Sequence, residues 1–317
     1  MGLKGRLQSG MRRQFIKKIS IGSLLAGSGF ITPEVFAQPQ TFKLTILHTN
    51  DTHSRIEPFP MDGGSHQGLG GVARRAALIK KIRSEEPNVL LLDSGDIFQG
   101  TPYFNMFGGE LEFKAMSAMQ YDAATMGNHD FDAGLEGFVK QLPLATFPFL
   151  CSNYDFNDTI VAGKTSEYKI FRKGGLKIGV FGLGVELEGL VPRDNFGKTR
   201  YLDPVIKARE VAGKLKHDYK CDLVICLSHL GYKYKTSKID DVKLAGNSED
   251  IDIILGGHTH TFLNKPEVQT NTKGKKVVIS QVGFAGIVLG RLDIFFERNK
   301  KDVCISCANH EINNLID

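Results

Sequence analysis

The sequence predicts an α/β fold, and three observations carry that expectation. Short apolar runs such as Val89 to Leu92 and Leu223 to Ser228 have the length and composition of buried strands. Between them lie stretches with apolar residues on a helical period, as with Val72, Leu78, Ile79 and Ile82. No internal repeat, low-complexity tract or Pro-rich linker divides residues 38–317, so one α/β domain is the simplest account.

Taken in order, Lys43 to His48 reads as a strand, Val72 to Arg83 as a helix and Val89 to Leu92 as a strand. Leu111 to Met119 then reads as a helix, Tyr121 to Met126 as a strand, and Leu135 to Leu142 as a short helix before the Pro143 and Pro148 breaks. Further strands are expected at Leu176 to Leu183, Leu223 to Ser228, Ile251 to Leu255, Val277 to Gln281 and Ile287 to Phe296. Helices at Val205 to Lys216 and Ile239 to Leu244 separate several of them.

With 317 residues and 41% hydrophobic content the chain can bury one large core or two modest ones. Its formal net charge of +5 resides in residues 1–37, which hold six basic residues against one acid and leave 34 of each sign in the rest. Nucleic acid is therefore not expected as the main partner. The same leader reads as an export signal. Arg12-Arg13 precedes a weakly apolar stretch, Ile19 to Ile31, and Val35-Phe36-Ala37 forms a small-residue cleavage site. This resembles a twin-arginine signal peptide over residues 1–37, implying a periplasmic or otherwise exported protein. The apolar stretch is too short and too rich in glycine to favour a membrane span.

Of five cysteines, Cys221 and Cys226 bracket an apolar strand and read as small buried hydrophobes. Cys304 and Cys307 have the spacing of a redox pair or half a zinc ribbon, with no second pair to complete the latter. Cys151 leaves the count odd.

Function is carried by where acids and histidines fall. Asp51 and His53 follow the first strand, Asp96 the second, Asn128-His129-Asp130-Phe131-Asp132 the third, His229 a later one, and His258 and His260 another. Each group sits at a strand's C-terminal end, the edge at which open α/β sheets bind ligands. Asp51, His53, Asp96, Asn128, His229, His258 and His260 are too many donors for one tetrahedral ion and suit a pair, with Asp96 as the natural bridge. Nitrogen and carboxylate donors together favour Zn, Mn, Fe or Co over Ca. His129, whose side chain diverges from that of Asn128, is placed to face substrate. Asp132, three residues on, is placed to accept from its second ring nitrogen.

In that order the blocks Asp51-Thr52-His53, Gly95-Asp96, Gly127-Asn128-His129-Asp130, His229 and Gly257-His258-Thr259-His260 resemble the calcineurin-like metallophosphoesterases. Leu47 to His53, Gly70 to Arg74, Gly95 to Gly100 and Asn128 to Asp132 are similar to the exported 5′-nucleotidase branch. The resemblance implies a four-layer α-β-β-α sandwich of two mixed sheets, with residues 38–317 as the catalytic domain. It implies a first divalent ion on Asp51, His53, Asp96 and His260, and a second on Asp96, Asn128, His229 and His258. His129 would contact the phosphate and stabilise or protonate the leaving oxygen, with Asp132 orienting it. The implied activity is release of phosphate from nucleotides. His260 stands where many of this branch carry Gln.

The resemblance also implies a C-terminal nucleobase-recognition domain for which residues 38–317 have no counterpart. The catalytic subunit of a split nucleotidase, with a separate nucleotide-recognition chain, is therefore one alternative. Others are an exported thiosulfohydrolase-like enzyme and a 2′,3′-cyclic nucleotide phosphodiesterase. Phe59, Tyr103, Phe104, Phe107, Tyr232 and Tyr234 are candidate local contacts, with ordinary packing the stronger expectation for each. Lys233, Lys235 and Lys238 read as a solvated loop. His48, His66, His217 and His310 are assigned no chemistry.

Overall fold

Strand and helix alternate for most of the chain, and the strands sort into two sheets. A computed structural model describes residues 41–297 and 303–316; residues 1–40, with the export signal, lie outside the described residues. The first half runs β1 (Thr41–Thr49), α1 (Val72–Glu85), β2 (Val89–Asp93), α2 (Pro102–Phe107), α3 (Glu110–Ala118), β3 (Ala123–Ala124), α4 (Gly134–Gln141) and β4 (Tyr154–Asp155). It continues through β5 (Tyr168–Lys173), β6 (Leu176–Leu183), α5 (Arg193–Phe196), β7 (Arg200–Tyr201), α6 (Pro204–Gly213) and β8 (Leu223–Ser228). The chain closes with α7 (Asp241–Asn247), β9 (Ile253–Gly256), β10 (Glu267–Thr270), β11 (Lys276–Ser280), β12 (Val288–Glu297), β13 (Val303–Cys307) and β14 (His310–Glu311).

One sheet has the order β13-β12-β1-β2-β3, with β14 pairing β12, and the other β10-β11-β9-β8-β6-β5. Both are mixed. β1, β2 and β3 pair in parallel while β12 and β13 are antiparallel. In the second sheet β6, β8, β9 and β11 are parallel, flanked by antiparallel β5 and β10.

Alternation along each strand sends side chains to opposite faces and so builds the layers. Leu44, Ile46, Leu90 and Leu92 of one sheet pack between the sheets against Val180, Ile225, Leu227 and Leu255 of the other. Their neighbours Leu47 and Leu91 face outward onto Ile79, Phe113 and Phe138 of α1, α3 and α4. Val224, Cys226 and Ile254 face Val211, Leu215 and Leu244 on the far side. The result is the four-layer α-β-β-α sandwich of two mixed sheets that the resemblance implies. Each fully buried large side chain contributes roughly 1.5–3 kcal/mol, and Phe113 adds ring contacts to Phe98 at 4.9 Å and Phe149 at 5.2 Å.

The structure departs from expectation where strands serve the cleft or the rim. The strand expected over Tyr121 to Met126 pairs only through Ala123–Ala124. Thr125 Oγ1 instead donates to the Leu150 carbonyl at 2.7 Å, so the chain leaves the sheet early and enters the cleft. The helix expected to reach Lys216 ends as a π-turn over Lys214–Asp218. Edge strands β5 and β10 have side chains at most half-buried, which leaves no apolar run to find. Cys151, Cys221 and Cys226 are buried free thiols. Cys307 is also free, its Sγ lying 3.3 Å from Asn309 Oδ1, and the Cys304 side chain lies outside the described residues. No described helix is long and apolar enough to cross a membrane.

Candidate metal centre

Parallel pairing aligns the C-terminal ends of β1, β2 and β3 in one sheet and of β8 and β9 in the other, and the loops leaving these ends meet. Asp51, His53, Asp96, His258 and His260 all adopt left-handed backbone, with φ between 47° and 71°. Asp and His tolerate this region better than most residues but still incur strain, and such strain clusters at functional sites. Cross-loop bonds hold them there. Asp51 N–H donates to the Gly95 carbonyl (2.9 Å), His53 N–H to that of Asp96 (3.1 Å), and Ala285 N–H to that of Asp51 (2.6 Å). His258 N–H donates to both Asp51 carboxylate oxygens at 3.0 Å. Gly95 makes the approach possible: its φ is +88°, and a Cβ there would lie 2.5 Å from Gly127 N.

Two ligand groups result. The ligating atoms of Asp51, His53 and His260 lie within 4.8 Å of one another, as do those of Asp96, His229 and His258. His53 Nε2 and His260 Nε2 are 2.9 Å apart, the latter 3.4 Å from Asp51 Oδ1. Asp96 Oδ2 lies 3.9 Å from His53 Nε2 and 3.1 Å from His229 Nε2, and so joins the groups. Backbone carbonyls fix two ring orientations: His229 Nδ1–H points at Ser94 (2.7 Å) and His53 Nδ1–H at Phe98 (3.3 Å), turning each Nε2 inward.

The donor set passes a direct test of fit. Asn128 is 6% exposed, and its Oδ1 is buried with no hydrogen-bond partner in the protein. Buried polar atoms in native proteins have partners, so this oxygen calls for a ligand, and a divalent cation suits an amide oxygen beside imidazole and carboxylate. Electrostatics agree. Burial works against charge on His229, yet the neighbouring Asp96 carboxylate draws its pKa up to about 10. Burial also opposes ionisation of Asp96, but His229 and His53 hold it well below the usual carboxylate range. Burial pulls His258 down to about 4 and lowers His53, keeping both neutral and ready to ligate. The site attracts positive charge on one side and offers free lone pairs on the other.

His129 opens a 3₁₀ turn, His129–Phe131, beside this cluster. Its Nδ1 lies 2.8 Å from Asp132 Oδ2, and that hydrogen bond raises its pKa. Its ring is 5.3 Å from that of His53. All nine residues singled out in the sequence therefore gather at one edge of the sandwich.

Two contributors escaped sequence reasoning. Asp130 is fully buried and accepts four backbone N–H bonds: Oδ2 from Gly127 (2.8 Å) and Asp96 (3.0 Å), Oδ1 from Ile97 (2.9 Å) and Phe98 (3.2 Å). Phe284 stacks on the His260 ring at 5.1 Å and 13°. It also meets His66, Phe59 and Phe262 at 5.5–6.4 Å, so His66, assigned no chemistry above, lines the rim of the centre. The remaining aromatic candidates divide. Tyr103 bonds Glu57 (2.9 Å) and Phe104 packs on Phe98. Phe107 is 39% exposed, and Tyr232 and Tyr234 are half-buried in the loop that bonds Thr259. His48 is a buried histidine bonded to Ser280, and His217 bonds Asp250.

Fold and site together define an α-β-β-α sandwich with candidate metal ligands drawn from both sheets. Residues 44–262 match the family model for calcineurin-like phosphoesterases, and the chain belongs to that family. It is 35% identical over 289 residues to a snake venom 5′-nucleotidase of Crotalus adamanteus, a match covering 85% of this chain and 48% of that protein. The structure of a 5′-nucleotidase precursor from Thermus thermophilus superposes with a TM-score of 0.79 at 31% identity, covering 87% of this chain and 55% of that one. A Thermus thermophilus sulfate thiohydrolase shares the fold at 19% identity, with a TM-score of 0.68 over 83% of this chain and 56% of that one. The chain spans about half the length of the curated relatives it matches.

Proposed function

We propose that this chain is the metal-bearing catalytic unit of an exported 5′-nucleotidase-type phosphatase that releases phosphate from nucleotides. The observation that carries the proposal is the sharing of Asp96 between two ligand groups, with the His129–Asp132 pair alongside. In this proposal the first ion is held by Asp51, His53, Asp96 and His260, and the second by Asp96, Asn128, His229 and His258, with Zn or Mn the best suited to the donors. When bound, two such ions supply an activated water and neutralise charge on the phosphoryl group.

The protein's own part is orientation and proton delivery. Asp132 holds His129 Nδ1–H, fixes its tautomer and favours the protonated ring, so Nε2–H can donate to the leaving ester oxygen as the bond to phosphorus breaks. The N–H of His129 donates to Asp96 Oδ1 at 2.8 Å and ties this acid to the shared ligand. Nucleotide rather than sulfur-bound sulfate is favoured as substrate by the 31–35% identity to 5′-nucleotidases against 19% to the thiohydrolase. Export rests on the twin-arginine-type leader.

The test is protein stripped with chelator, refilled with Mn or Zn, and offered AMP, a UDP-sugar, 2′,3′-cyclic AMP and bis-p-nitrophenyl phosphate. AMP is expected to turn over best, with phosphate released. His129→Ala is expected to lower kcat by roughly 10²–10⁴-fold at near-normal metal content, while Asp96→Ala loses metal. Equal metal loss in both variants would overturn the division of labour between these two residues.

A further inference from the structure

Beneath the loop that carries Asp51 and His53 lies a cavity of about 10 Å³, lined by Thr52, Ser54, Arg75 and Glu112 among others. Arg75, in the first turn of α1, and Glu112, in the first turn of α3, are 3% and 4% exposed. Neither carboxylate oxygen of Glu112 has a hydrogen-bond partner in the protein, and the same holds for Arg75 Nε and Nη1 and for Ser54 Oγ. The Glu112 carboxylate, two of the three guanidinium nitrogens of Arg75 and a hydroxyl thus border one small cavity without a hydrogen-bond partner, although Arg75 also feels the charge of Asp93. Burying ionised groups without compensation costs several kcal/mol each, so an occupant that both donates and accepts is required. A void of roughly 10–15 Å³ holds one water, and a water needs two to four polar partners. Arg55 also lines the cavity, but its guanidinium stacks on the Phe59 ring at 4.1 Å; Arg75 and Glu112 remain as walls of opposite charge, and an ion of either sign would be repelled by one of them.

We propose that this cavity is a single-water site coupling Arg75 to Glu112, and that the two are positioning residues for the first metal loop. The loop above it needs such support. Asp51, His53 and Ser54 have φ of 50°, 47° and 51° within four positions, and strained backbone persists only where its surroundings over-determine it. Arg75 also reaches the loop's other wall. Its Nη1 lies against Gly286 so closely that a side chain there would not fit, and the adjoining Ala285 N–H bonds the Asp51 carbonyl. The water-linked pair therefore braces, from below, both the segment that presents Asp51 and His53 and the one that closes over it.

The inference rests on the proposed two-ion centre for its functional arm but not for the water itself. A high-resolution crystal structure of the wild-type chain is expected to hold one water within hydrogen-bond distance of both Glu112 and Arg75. A direct ion pair, or any other occupant, would overturn the site. For the functional arm, Mn²⁺ is titrated into chelator-stripped wild type, Arg75→Met, Glu112→Leu and the double variant. Each single variant is expected to weaken one of two binding steps by roughly 10–100-fold and leave the other unchanged, with the retained ion on Asp96, His229 and His258 in a crystal. The double variant is expected to weaken that step no further than either single variant, because both residues act through one bridge. Additive losses, or equal weakening of both steps, would refute the positioning role. Glu112→Gln keeps shape and hydrogen bonding, serves if Glu112→Leu fails to fold, and should weaken the same step alone. A wild type binding fewer than two ions would count against the proposed function and leave the water site standing.

Discussion

Asp130→Asn is the substitution whose cost the structure fixes most directly. The carboxylate of Asp130 takes two N–H bonds on each oxygen, from Asp96 and Gly127 on one and from Ile97 and Phe98 on the other. Asparagine keeps the shape but exchanges one acceptor for a donor. Whichever way the amide turns, two of the four buried N–H groups face another N–H. Burial and the neighbouring Asp96 push the Asp130 pKa up to about 7, so the comparison is made above that pH, where at roughly 1.5–3 kcal/mol for each hydrogen bond to a charged group the loss is about 3–6 kcal/mol. That is large against a total stability on the order of 5–15 kcal/mol. Urea unfolding of chelator-treated protein, followed by circular dichroism and compared at equal slope, measures it. Metal content of samples refilled with Mn or Zn should fall too, because the bonds lost anchor the backbone that presents Asp96. A variant within about 1 kcal/mol of wild type that keeps both ions would refute the idea that this one carboxylate organises the two loops.

Two further perturbations probe the framework. Burial lowers the pKa of His48 to about 3 from 6.5, so between those values the unfolded chain binds a proton that the folded chain refuses, and stability falls as pH drops. His48→Gln, which keeps an acceptor for Ser280, should flatten that slope by about 2 kcal/mol between about pH 7 and about pH 5; parallel stability-against-pH curves for the two proteins would contradict it. Gly95→Ala places a Cβ against the backbone of Gly127 at a positive φ, and should cost at least about 2 kcal/mol in thermal unfolding. An unchanged melting temperature would mean the two loops can separate without harm.

The candidate ligands were legible because polar residues at the ends of apolar runs stand out against their surroundings: Asp51 and His53 after one run, His258 and His260 after another. The layering was not legible from periodicity. Leu90 and Leu91 look alike in sequence, and only the partner sheet decides that one faces inward and the other a helix. Nor did the sequence reveal Asp130. It lies between His129 and Phe131 in a 3₁₀ turn, where successive side chains point about 120° apart, so its direction follows from a turn that no pattern of neighbours announces. Phe284 was missed for a different reason. A lone aromatic in a glycine-rich loop carries no period, and its place beside His260 comes from β11 and β9 lying side by side.

Each proposed ion would draw ligands from both sheets: Asp51 and His53 with His260 for one, Asp96 and Asn128 with His229 and His258 for the other. Such a pair of cations would also be a clasp on the open seam of the sandwich. Because ligands that bind only the folded state stabilise it by mass action, the melting behaviour of this protein would then be tied to the free metal around it, and a chain starved of metal would have its weakest edge where its chemistry should be.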